Sequence, residues 1–305
     1  MKNLVRTTTF LAIVACFLWS TAFATVKIGL LYQKPFQFAG LRFIISGILI
    51  FIWLGKPIKY FREVAIHWKF ISSIAFVQTA LQYAFFYTGM SLVPGALGAM
   101  LVGASPLFIT LVAHFFSEND RFTLNKSFSL LLGIAGLALI TLGRTRIEIK
   151  NHLEWLGMLL LLFNNFLSGY ANVMIKKSPS PVSPYILSSA SLALGGLLLL
   201  IISIPVEGIA TGPFPLPYYL SLGWLSFLSA AAFSIWYKLL KRPGVKVSDL
   251  NIWKFIIPVS GAMLSWILIP GEKPEIISVT GMAVIALSLL ILFSRQMKLK
   301  KELST

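Results

Sequence analysis

The sequence predicts an all-α integral membrane protein with ten transmembrane helices arranged as two inverted five-helix repeats. Three observations carry this expectation: an apolar composition, apolar stretches of membrane-spanning length, and a lopsided placement of cations. Of the 305 residues 57% are hydrophobic and only 12% charged, with a mean hydropathy of +0.84. Soluble domains run about 45–50% apolar and about 25% charged. One Cys and three His give no basis for a disulfide framework or a multi-histidine metal site. No cofactor, metal or catalytic residue is expected.

A bilayer core of roughly 30 Å needs about 20 apolar residues per helix. The chain offers Thr9–Tyr32, Phe36–Leu54, Phe70–Leu92, Gly95–Phe116 and Ser127–Leu142, then Leu156–Ile175, Tyr185–Val206, Tyr218–Tyr237, Ile252–Ile269 and Ile276–Phe293. Short connectors carry turn residues, as in Ser178-Pro179-Ser180-Pro181 and Pro270-Gly271. These runs are continuous where barrel strands would alternate, so helices are expected. Lys2, Arg6 and Ala22-Phe23-Ala24 imitate a signal peptide. The apolar run passes beyond them to Tyr32, and an uncleaved first helix is expected.

Lys and Arg concentrate in cytoplasmic loops. With the amino terminus inside, the inner set is Lys2, Arg6, Lys56, Lys59, Arg62, Lys69, Arg121, Lys126, Lys176, Lys177, Lys238, Lys241, Arg242, Lys246, Lys254, Arg295, Lys298, Lys300 and Lys301. The outer set is Lys27, Lys34, Arg144, Arg146, Lys150 and Lys273. Arg42, well inside the second span, belongs to neither set. Both termini are therefore expected in the cytoplasm. The net charge of +16 is spread over helix ends, which argues against a nucleic-acid partner. The basic tail from Arg295 to Lys301 reads as a stop signal and a contact for anionic lipid of the bilayer.

Five spans are an odd number, so residues 151–305 lie upside down relative to residues 1–150. Lys27 and Lys176 each precede a proline, Pro35 and Pro184, by eight residues. Pro106 and Pro258 each fall inside a span, and Glu118 and Glu272 each follow one. Two such halves exchange inward-open and outward-open shapes around a solute held between them. The prolines remove backbone hydrogen bonds and mark hinge positions. Gly95, Ala99 and Gly103 form a small-residue stripe for close helix packing.

Ionisable side chains inside a span face a bundle interior or a wet cavity. Arg42 lies roughly 10 Å along its helix from Pro35 at 1.5 Å per residue, with no acidic residue nearby in sequence, and is expected on the pathway. Lys254 is nearer the inner face, where facing the pathway and reaching back to the interface are equal readings. No span has a carboxylate at its middle, which disfavours a buried proton relay. Gln78 and Gln82 share a helix face, with Tyr83 and Tyr87 on the neighbouring one. Asn165, Ser168 and Asn172 form a second polar stripe. Each stripe reads as cavity wall or as interhelical glue. Trp19 and Trp236 are candidates for stacking on a substrate.

Trp19-Ser20 with Lys27, Pro35 with Leu41-Arg42-Phe43, Tyr87-Thr88-Gly89-Met90-Ser91 running into Pro94-Gly95-Ala96, Ser105-Pro106, and the Glu272 to Gly281 spacing resemble the drug/metabolite transporter superfamily, EamA type. The resemblance spans nearly the whole chain. It implies a secondary carrier of a bacterial inner membrane, often an exporter of amino acids or other small metabolites. It also implies a cavity lined by helices 1–4 and 6–9, with helices 5 and 10 at the periphery. The expected partner is a small-molecule metabolite, and the expected state a monomer or homodimer. The alternative class is an integral membrane enzyme such as a lipid-modifying transferase, for which the scattered His67, His114 and His152 provide no cluster of acids, bases or ligands.

Overall fold

Proline starts several helices at the position where its missing N–H is not needed. In the computed structural model, which describes residues 2–93, 98, 101–118, 120, 123–144, 152–209, 212–260, 263 and 276–302, Pro35 opens α3 (Pro35–Leu54), Pro57 opens α4 (Pro57–Ile66) and Pro184 opens α10 (Pro184–Glu207). The first span is two helices, α1 (Lys2–Ser20) and α2 (Ala22–Leu30), meeting at Thr21. The third is α5 (Trp68–Ile74), a π-helical stretch Ala75–Leu81, and α6 (Gln82–Leu92). Then follow α7 (Ser105–Phe116), α8 (Leu124–Arg144), α9 (His152–Lys177) and α11 (Leu216–Leu240). Last come α12 (Val247–Asn251), a 3-10 turn Ile252–Phe255 and α13 (Ile276–Glu302).

Among the described residues, six helices are long and apolar enough to cross a membrane, and three shorter apolar helices, Leu101–Phe116, Leu124–Leu139 and Val279–Ser288, accompany them. Their surfaces are those of an inside-out protein. Helix α3 buries Gln37, Arg42 and Ser46 and exposes Ile48, Leu49, Ile52 and Trp53. The apolar face meets lipid while the polar face meets other helices.

Two helix pairs cross at backbone contact. Helix α3 packs along α10, and α8 along α13. A Cβ on Gly196 would lie 2.8 Å from the Gly40 carbonyl oxygen, and one on Gly40 would lie 2.9 Å from that of Gly196. Gly136 approaches the Gly281 carbonyl in the same way, at 2.6 Å. Hydroxyls tie both crossings. Ser189 donates to the Gly47 carbonyl at 2.7 Å, and Ser288 to that of Ser129 at 2.6 Å. Small residues and hydroxyls replace hydrophobic attraction as the glue between helices that sit in lipid.

Around these crossings the packing is reciprocal. Helix α9 packs on α6 and α7, while α11 packs on α1 and α2; α10 packs on the π-helical stretch and α11 on α3. The helix starts are capped across the sequence. Glu207 accepts from the backbone N–H of Phe36 and Gln37 at 2.8 and 3.0 Å, and Glu63 accepts from that of Ser183 at 3.0 Å. A carboxylate there satisfies donors the helix leaves unpaired and complements the helix dipole.

An ionic cluster closes one end of the bundle. Lys126 Nζ lies 2.6 Å from Asp120 Oδ1 and 3.2 Å from Asp249 Oδ1, and donates to Ser248 Oγ at 2.6 Å. Asp120 also accepts from the Ser248 amide at 2.8 Å and from its hydroxyl. Burial raises Asp249 above the usual carboxylate range, and nearby Lys126 only partly offsets this. Lys241 donates to the Ser178 and Ser180 carbonyls, and Lys177 to that of Phe116.

Several sequence expectations change. The stretch between the second and third spans is not a simple connector, because it holds α4. Helix α4 buries Tyr60 and leaves Ile58 and Phe61 exposed. Pro106 does not kink a helix from within. It stands in the first turn of α7, after a break at Ala104. Pro258 lies in a short helical run that follows the 3-10 turn. Gly95, Ala99, Pro270, Gly271 and Glu272 lie outside the described residues.

The crossings give a direct test. Gly196→Ala places a methyl against backbone, which typically costs about 1–3 kcal/mol through overpacking. Gly223→Ala, with nothing within 4 Å, is expected to leave stability unchanged or slightly raised. Thermal unfolding midpoints in detergent separate the two, the first variant melting below the wild type.

Candidate functional site

The helices described above line a partly open cavity of about 100 Å³, counted as the space open to the centre of a water molecule. One water needs about 10–15 Å³ on this measure, so the cavity holds several waters or a small solute. Its wall includes Trp19, Arg42, Gln78, Gln82, Tyr83, Asn165, Asn172, Trp236 and Lys254, all singled out in the sequence. Tyr87 is the exception. It does not line the cavity but stands behind Arg42.

Arg42 is 2% exposed. Its Nε donates to Ser229 Oγ and its Nη1 to Tyr87 Oη, both at 2.9 Å. The guanidinium lies 4.8 Å from the Phe43 ring centre and 5.7 Å from that of Tyr83. Aromatic faces stabilise a cation by their quadrupoles, more so away from water. Nη2 makes no hydrogen bond among the described residues, and no carboxylate pairs with the group.

Lys254 does not reach back to an interface. Its ammonium lies over Trp19 and Trp236, 5.5 and 5.1 Å from the ring centres, and its one hydrogen bond, to Ser168 Oγ, is long at 3.4 Å. The tryptophans meet edge to face at 5.0 Å. They form a platform for a cation of the protein itself, so the expected stacking role is at least partly occupied.

The amide stripes divide between glue and wall. Asn165 donates to the Leu101 carbonyl at 2.7 Å and accepts from Asn164 at 3.1 Å. Asn172 donates to Asn251 at 3.3 Å and accepts from Trp236 Nε1 at 3.2 Å. Gln78 donates to Gln82 at 2.8 Å. Three buried polar atoms on the wall have no partner: Gln78 Oε1, Asn164 Oδ1 and Trp19 Nε1. A buried unpaired acceptor or donor typically costs about 1–3 kcal/mol, a penalty that water or a solute in the cavity removes.

Asn164, Ser105, Phe23, Phe86 and Phe233 also line the cavity, a place the sequence assigned to none of them. Asn164 sits beside Asn165 and was hidden by the choice of one face. The phenylalanines are indistinguishable in sequence from core residues. Among the described residues, no acidic side chain lines the cavity. No residue of α8, α10 or α13 does either, so the seventh span, expected on the wall, lies behind it against α3.

A family model described as the EamA-like transporter family matches the chain twice, over residues 6–142 and 155–294. The chain belongs to that family. An uncharacterized transporter of Bacillus subtilis, YvbV, is 24% identical over 99% of this chain and 96% of its own. A probable amino-acid metabolite efflux pump of Salmonella typhimurium is 25% identical over 92% of this chain and 93% of its own. A solved crystal structure superposes with a TM-score of 0.78 at 18% identity, covering 96% of this chain and 99% of the other; that likeness bears on the fold alone. The protein is a multi-pass membrane transporter.

Tyr87→Phe removes one of the two hydrogen bonds of Arg42 with little change of shape. Loss of a bond to a buried charged group typically costs about 1.5–3 kcal/mol. The unfolding midpoint in detergent is expected to fall, and Ser229→Ala is expected to lower it by a similar amount.

Proposed function

We propose that this EamA-family protein is a carrier, secondary-active or facilitative, that exports small polar metabolites such as amino acids by alternating access. In this reading the chain has ten spans in two inverted halves, residues 1–150 and 151–305. It lies in a bacterial inner membrane with both termini in the cytoplasm. The twofold family match and the reciprocal packing of α9 on α6 and α11 on α1–α2 support the repeat. The loop cations support the orientation.

The observation that carries the reading is the cavity: two cations, unpartnered amide oxygens and, among the described residues, no carboxylate, lined by helices of both halves. A solute with an anionic group gains in this low-dielectric space what it would not gain in water. Trp19, Arg42, Gln78, Gln82, Tyr83, Asn165, Asn172, Trp236 and Lys254 form the binding wall, and Tyr87 holds Arg42 in place. Pro106 and Pro258, each next to a change of helix geometry, serve as hinges. The Asp120–Lys126–Asp249 cluster joins the two halves at one end, and opening that end requires it to part. The name of the Salmonella typhimurium relative, a probable amino-acid metabolite efflux pump, supports the substrate class.

Counterflow in proteoliposomes across a panel of amino acids and organic acids tests the reading. Wild type is expected to exchange at least one solute, and Arg42→Ala, at equal reconstituted amount, to exchange it at least tenfold more slowly. Undiminished exchange by Arg42→Ala contradicts the assignment of the pathway.

A further inference from the structure

The two cavity cations have separate settings. Arg42 comes from α3 and lies against Phe43 and Tyr83; Lys254 comes from the 3-10 turn after α12 and lies on Trp19 and Trp236. Phe233 stands between the two groups, 6.4 Å from Phe43, 6.2 Å from Tyr83 and 5.7 Å from Trp19 between ring centres. Each cation keeps donor capacity towards the cavity. Arg42 has Nη2 free of protein bonds, and Lys254 makes one long bond with an ammonium that has three donors.

Two like charges facing one small chamber repel each other, and among the described residues no carboxylate on the wall offsets them. One carboxylate on a solute compensates only one of them. A zwitterion with a single carboxylate brings its own ammonium and leaves the chamber as positive as before.

We propose that the solute this cavity accepts carries two anionic groups, one taken by Arg42 and the other by Lys254; this deepens the carrier reading and rests on it. The unpartnered carbonyl oxygens of Gln78 and Asn164 then accept from a hydroxyl or amino group between the two anions. The aromatic waist at Phe233 packs against the carbon chain that joins them. A small dicarboxylate, with or without an amino group, has this chemistry.

Calorimetric titration of the purified full-length protein in detergent tests the claim with two pairs of equal size: aspartate against asparagine, and succinate against succinamate. Each pair differs by one negative charge. The doubly anionic member of each pair is expected to bind at least tenfold more tightly. Arg42→Gln and Lys254→Gln are each expected to bring the pairs to within about twofold, while Arg42→Lys and Lys254→Arg retain the preference. Equal or tighter binding of asparagine and succinamate overturns the proposal, as does absence of binding by all four. Counterflow of some other solute in either case leaves the carrier reading standing, so the two failures are told apart.

Discussion

A positive charge buried in a membrane protein has to be compensated by something, and among the described residues no carboxylate does so for Arg42 or Lys254. The wall that surrounds Arg42 and Lys254 is built around that constraint. Tyr87 and Ser229 hold the guanidinium by hydrogen bonds, and ring faces support both cations. These neutral partners fix the cations in place without cancelling their charge. A buried ion pair would have closed the site electrostatically, and breaking it for each solute would leave an uncompensated charge. Neutral supports leave the field available to whatever enters.

The frame that holds this wall relies on approach of backbone to backbone. Gly40 with Gly196, and Gly136 with Gly281, let α3 meet α10 and α8 meet α13 without side chains between them. Each crossing joins an element of the first half to one of the second. A shared seam of small residues permits rocking of packed helices with few side chains to rearrange, the kind of motion an exchange of shapes between halves requires. The glutamate caps at Phe36–Gln37 and Ser183 tie the starts of the crossed helices α3 and α10. The lysine cluster at Asp120 and Asp249 is by contrast confined to one end.

Much of the site was legible because lipid imposes strong rules on sequence. A lone arginine seven residues into an apolar helix has few places to go, and Arg42 is buried on the cavity as expected. The spacing of Gln78 and Gln82 placed them on one face, and a hydrogen bond joins them, although the stretch containing Gln78 is a π-helix that no periodicity reveals. Lys254 left two readings open, since the length of its stem permits either; its platform of Trp19 and Trp236 comes from the first and eighth spans and forms only on folding. Phe233 and Phe86 were invisible for a simpler reason: an apolar ring on a cavity wall and one in a core have the same sequence signature. The break at Ala104 and the helix α4 depend on tertiary packing, which turned an expected kink at Pro106 into a helix start.

In the working protein the cavity is expected to be electropositive. Its sign can be measured without knowing the solute. Val102 lines the cavity and is close in size to cysteine; placed as Val102→Cys in a Cys16→Ser background, it supplies a single thiol. Its rates of reaction with anionic and cationic thiosulfonate reagents of similar size, each divided by the rate with free cysteine, report the local potential. The anionic reagent is expected to react at least tenfold faster on this scale, and Arg42→Gln with Lys254→Gln to bring the ratio close to one. A cationic reagent that reacts as fast or faster would contradict an electropositive cavity.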